Sequence, residues 1–141
     1  MRQAILVGER PQGFLRRGVA VFIDGFVLFA AGYFLALFTG SAGGWGFELS
    51  AGRLLLWLLI GVGYATLLEG LFGATFGKMA LGLTVVGEDG SPIGMREAII
   101  RNVLRIADGQ LLGLVGAILM ATSDRKQRLG DRVARTVVIG R

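Results

Sequence analysis

The chain has 141 residues, of which 53% are hydrophobic and only 18% charged, and its mean hydropathy is +0.64. A soluble domain carries about 25% charged residues, so this composition excludes an ordinary soluble fold, and the length leaves room for one compact unit. There is no Cys and no His, which removes a disulfide framework, a thiolate metal site and the commonest general base.

The first apolar run, Gly18 to Phe38, reads GVAVFIDGFVLFAAGYFLALF and carries one charge, Asp24. About 20 apolar residues cover the roughly 30 Å hydrocarbon core of a bilayer. A carboxylate there costs about 2.5 kcal/mol or more without a partner, water or a proton, so Asp24 marks a site to be explained. The run exceeds the roughly 7 to 15 residues of a signal-peptide core and holds a charge, so it is read as a retained span.

The second run, Leu54 to Phe76, is interrupted only by Glu69. Gly61, Ala65, Glu69, Gly73 and Gly77 recur every four residues, a small-residue stripe that lets helix backbones approach closely. The phrase GATFGKMA fails as a phosphate loop, because Phe72 stands where the first Gly belongs and Met79 where Ser or Thr is needed. LTVVGEDGSPIG then reads as a strand entering a tight turn at Asp89-Gly90.

In REAIIRNVLRIAD, Arg101, Arg105 and Asp108 fall on one helical face. The apolar stretch Gly109 to Thr122 has 14 residues, short for a span. Its Gly109, Gly113, Ala117 and Ala121 form a second small-residue stripe. Residues 96–122 are therefore read as a short hairpin, a re-entrant pair, or an interfacial helix followed by a short, shallow one. The tail from Ser123 holds Arg125, Lys126, Arg128, Arg132, Arg135 and Arg141, and its β-branched run Thr136 to Ile139 could pair with the earlier strand.

Arg2, Arg10, Arg16 and Arg17 precede the first span, whereas the connector 39–53 holds only Arg53 as a cation. The positive-inside bias puts the N-terminus and the basic tail in the cytoplasm, which requires an even number of crossings. The same bias, with anionic lipid, accounts for a pI near 10.7 more simply than nucleic acid does.

With this topology Asp24 and Glu69 share a level about 9 to 11 Å in from the cytoplasmic end. Facing one another, they would form a proton-holding pair. Alternatively each is neutralised by an arginine and fixes helix packing. Arg17 lies about 10.5 Å along the same helix from Asp24, so each must find its partner elsewhere. The expected arrangement is an interhelical cluster of Arg17, Asp24, Glu69, Arg101, Arg105 and Asp108, an ion or proton site or a structural charge cluster. The expected fold is all-α: a small polytopic helical membrane protein, one domain over residues 1–141, with a small cytoplasmic strand pairing.

Four blocks, RRGVAVFIDG, GKMALGLTVVGEDGSPIG, REAIIRNVLRIAD and QRLGDRVARTVVI, together resemble the RDD family of bacterial integral membrane proteins. On that pattern Arg17 and Asp24 fit the first-helix arginine and aspartate, Gly77 and Lys78 the Gly-Lys step followed by Gly82, and Arg101 the penultimate-helix arginine. Gly130, Asp131 and Thr136 fit the terminal block, and Asp24, Asp108 and Asp131 are candidates for the aspartates of the name. The resemblance implies a bacterial cytoplasmic membrane and either cation/proton exchange or regulation of another membrane protein; for exchange, so small a helical set would need a homo-oligomer to enclose a pathway. No nucleophile, base and metal set is visible, so a non-enzymatic protein without cofactor is expected.

Overall fold

Two long apolar helices, α1 (Phe14–Phe38) and α2 (Ala51–Phe72), dominate the structure, a computed structural model that describes residues 11–12, 14–38, 51–110, 118–119, 121–122 and 124–140. Both are long and apolar enough to cross a membrane, and only 6% of the most apolar stretch of α1 and 17% of that of α2 is buried inside the protein. Phe22, Phe26, Phe29 and Phe34 point outward from α1, as do Leu55, Leu59 and Leu67 from α2. Apolar faces of this extent suit acyl chains and not water.

Each helix starts or stops for a local reason. Helix α1 begins at Phe14, four residues before the uncharged run, because Arg16 and Arg17 in its first turn find acceptors: Arg16 reaches the Leu81 carbonyl at 3.1 Å and Arg17 Nε the Gln12 carbonyl at 3.0 Å. Helix α2 stops at Phe72 and does not run on to Phe76, because Gly73 takes a left-handed φ of +72° and donates its N–H to the Glu69 carbonyl at 2.9 Å. The small-residue stripe read across Gly73 and Gly77 is thus split between two elements. Thr75 caps the short α3 (Phe76–Ala80) by accepting from the Lys78 N–H, and Gly82 closes it with φ +63°.

The strand–turn reading is borne out. Strand β1 (Leu83–Gly87) leads into a turn where Gly90 takes φ +82° and its N–H reaches the Gly87 carbonyl at 2.9 Å. Helix α4 (Met95–Gln110) and the short α5 (Leu129–Val133) follow, and β2 (Thr136–Gly140) pairs antiparallel with β1, Val85 opposite Val138. Pro11 bridges Ile139 on the free side of β2, so the start of the chain joins the sheet's edge.

A two-stranded ribbon is marginal alone, and this one is held by what it covers. Leu83, Val85 and Val138 bury against Ala20 of α1, Ala98 of α4 and Ile93. The Val85 N–H also bonds the Gly73 carbonyl at 2.7 Å, tying the sheet to the end of α2. The tightly packed core therefore sits at one end of the long helices. Helix α4 packs on α2: a Cβ on Gly70 would lie 2.8 Å from Met95 Sδ, and Arg101 and Asn102 both reach Glu69. Helix α4 accounts for the first part of the segment 96–122; residues 111–117 lie outside the described residues, as does the stripe residue Gly113, and Ile118, Leu119 and Ala121 are helical.

Candidate functional site

Five charged side chains from five elements form a chain of alternating sign at this packed end. Arg17 of α1 donates to Asp131 of α5 at 2.5 Å, and Asp131 accepts from Arg101 of α4 at 2.9 Å. Arg101 Nε reaches Glu69 of α2 at 3.2 Å, and Glu69 closes the series with Lys78 of α3. None of the five is more than 4% exposed. Removing an ion from water costs several kcal/mol, so such groups persist only when paired and hydrogen-bonded.

That condition is met at both carboxylates of the chain. Asp131 also accepts the Arg128 N–H at 3.2 Å, Glu69 the Asn102 amide at 3.0 Å, and Arg101 Nη1 donates further to Thr136 Oγ1 at 2.7 Å. Arg17 Nη2 is the one buried side-chain polar atom among the described residues without a partner. Arginine suits the centre of the chain because its planar fork serves two carboxylates at once.

Asp24 stands beside this chain on a separate set of donors. Its carboxylate accepts from Tyr64 Oη at 2.8 Å, Thr75 Oγ1 at 2.6 Å and the Gly77 N–H at 2.7 Å. A Cβ on Gly77 would overlap the Ala20 carbonyl oxygen and stand 3.0 Å from the Asp24 carboxyl carbon. Only glycine lets α3 come close enough to α1 for that backbone donor to reach Asp24.

The structure thus brings Arg17, Glu69 and Arg101 into one chain and gives Asp24 neutral donors in place of an arginine. Asp24 and Glu69 share no hydrogen bond. Arg105 lines a groove with Asp24 and makes no hydrogen bond or ion pair among the described residues. Asp108 lies in the last turns of α4, its side chain outside the described residues. The family-pattern residues Lys78, Asp131 and Thr136 bond directly into the chain, Gly77 and Gly130 permit the close contacts around it, and Gly82 ends α3.

Sequence reasoning missed Tyr64, Thr75 and Asn102 as donors. Two had a signal: Thr75 stands three residues before Lys78 at a helix start, and Tyr64 is the lone phenol of its apolar run. Asn102 had none beyond its place beside Arg101. Among the described residues no group of three His, Cys, Asp or Glu could hold a metal ion.

Outside the two long apolar helices, Asp131 and Lys78 are among the groups whose acidities are shifted. Burial opposes ionisation of Asp131, yet Arg101, Arg128 and Arg17 hold its carboxyl well below the usual carboxylate range. Burial lowers the Lys78 ammonium from 10.5 to about 8, Glu69 opposing the fall and Arg101 adding to it. Between about 8 and 10.5 the unfolded chain then holds the proton that the folded chain has released, so through this group folding gains with rising pH in that window. The chain has two lysines, Lys78 and Lys126. An NMR titration of ¹³C-labelled lysine, assigned by the signal lost in Lys78→Arg, should give a Lys78 midpoint near 8; a midpoint at the ordinary value would contradict this burial.

Two lipid-length apolar helices joined at one end by a chain of paired buried charges define a small helical membrane protein. The RDD family model matches residues 11–135, and the chain belongs to that family. No curated protein and no solved structure matches it.

Proposed function

We propose that this protein is a multi-pass protein of the bacterial cytoplasmic membrane, with its N-terminus and basic tail inside, acting as a non-enzymatic membrane adaptor or regulatory subunit. One observation carries the reading: each of the three buried carboxylates among the described residues, Asp24, Glu69 and Asp131, already accepts three donors. A cation would have to displace ammonium, guanidinium or N–H donors at Glu69 and Asp131, and two hydroxyls and a backbone N–H at Asp24. The charges serve as architecture, and the apolar faces of α1 and α2 stay open for lipid and a second membrane protein or another copy of the chain.

A second reading, cation/proton exchange by a homo-oligomer, is favoured by one fact: Asp24 stands on the wall of an intramembrane groove. Proteoliposomes holding a trapped pH dye separate the two. Addition of Na⁺ or K⁺ should change the internal pH no more with wild type or Asp24→Asn than in protein-free vesicles. A cation-dependent pH change present in wild type and absent in Asp24→Asn would establish exchange.

A further inference from the structure

A groove of about 490 Å³ runs between α1, α2 and α4. That volume lies within the range of small-ligand sites, about 300 to 1,000 Å³. Its walls are apolar, with Val21 and Leu28 from α1, Trp57 and Leu58 from α2 and Ile106 from α4. Arg105 reaches it from α4.

The chemistry at Arg105 differs from that of the other buried cations. Arg17, Lys78 and Arg101 each hold a carboxylate, whereas no nitrogen of Arg105 meets a carboxylate or carbonyl among the described residues. The carboxylate that shares the groove is Asp24, whose oxygens are occupied by Tyr64, Thr75 and Gly77. Around the charge chain and groove, among the described side chains, five cations, Arg17, Lys78, Arg101, Arg105 and Arg128, face three carboxylates, Asp24, Glu69 and Asp131, so positive charge is in excess. An arginine lining a mostly apolar groove between α1, α2 and α4 is complementary to an anionic head on an apolar chain. Arginine binds phosphate oxygens in a bidentate fork, and an arginine without a partner at membrane depth is costly.

We infer that this groove seats one anionic phospholipid, its headgroup phosphate on Arg105 and an acyl chain along Leu28, Trp57 and Leu58. The site is separate from the proposed adaptor role and stands or falls without it. Two glycines line the same groove. A Cβ on Gly25 would meet nothing within 4 Å, and one on Gly61 would meet only Leu28 at 3.8 Å, so a larger side chain at Gly25 fills the groove and leaves the backbone in place.

The chain has two tryptophans. Trp45→Phe leaves Trp57, on the groove wall, as the single fluorophore. In phosphatidylcholine vesicles, acyl-brominated phosphatidylglycerol should quench Trp57 saturably, with about a tenfold preference over brominated phosphatidylcholine at equal mole fraction. Arg105→Gln should abolish the preference, and Gly25→Leu should do the same with the arginine intact, so the test survives if one variant fails to fold. Inorganic phosphate should leave the quenching unchanged. Equal quenching by both lipids, a preference that survives either substitution, or displacement by inorganic phosphate would each overturn the assignment. Equal quenching from a chain that runs as a dimer would give the groove to a second copy.

Discussion

Arg101→Ala should destabilise the protein more than any other single replacement, by about 3 to 5 kcal/mol. Among the described residues Arg101 is the one cation that touches two carboxylates: its Nε holds Glu69 at 3.2 Å and its Nη1 holds Asp131 at 2.9 Å, with Thr136 Oγ1 at 2.7 Å. Its loss strands charge on both sides and cuts the joint between α2, α5 and β2. Glu69 keeps Lys78 and Asn102, and Asp131 keeps Arg17 and the Arg128 N–H, so the penalty stays below that of two unpaired ions. Arg101→Lys should recover only part of it, because an ammonium cannot present a fork to two carboxylates. Unfolding of the detergent-solubilised protein by SDS titration reads the difference. An Arg101→Ala protein within about 1 kcal/mol of wild type would mean that the chain carries no stability.

Gly77→Ala comes second, and its cause is steric. The added methyl would fall on the Ala20 carbonyl oxygen, which is backbone and cannot rotate away. Helix α3 must then move off α1, and the Gly77 N–H leaves Asp24. Overpacking typically costs about 1 to 3 kcal/mol, and the loss of a hydrogen bond to a buried carboxylate brings the expectation to about 3 kcal/mol or more. Gly25→Ala is the matched control, since a methyl there meets nothing within 4 Å. Equal loss of stability in the two variants would point to helix propensity and not to the close approach.

The features legible in the sequence were those set by local pattern. Uncharged runs of bilayer length gave α1 and α2, and the β-branched runs Thr84 to Val86, ahead of Asp89-Gly90, and Thr136 to Ile139 gave β1, its turn and its pairing with β2. The end of α2 differed, at Phe72, because hydropathy does not register the left-handed turn that Gly73 makes. The buried charges were legible as individuals and much less so as partners. An isolated carboxylate in an apolar run announces that it needs donors, but which donors is a matter of tertiary approach. Arg17 and Asp131 are 114 residues apart, and Lys78 reaches back to Glu69 only because Gly73 and Thr75 reverse the chain between them. Asp24 shows the limit most clearly. Charge arithmetic directs it to an arginine, while the fold supplies a phenol, a hydroxyl and a backbone N–H made reachable by a missing Cβ.

The claim that the buried charges hold the elements together is tested most directly by a double-mutant cycle on Arg17 and Asp131, the pair that links α1 to α5. Arg17→Met, Asp131→Asn and the double variant are compared with wild type by the same SDS unfolding. A structural ion pair predicts that the double variant loses less than the sum of the singles, with a coupling of about 1.5 kcal/mol or more. Losses that add, with coupling indistinguishable from zero, would contradict it.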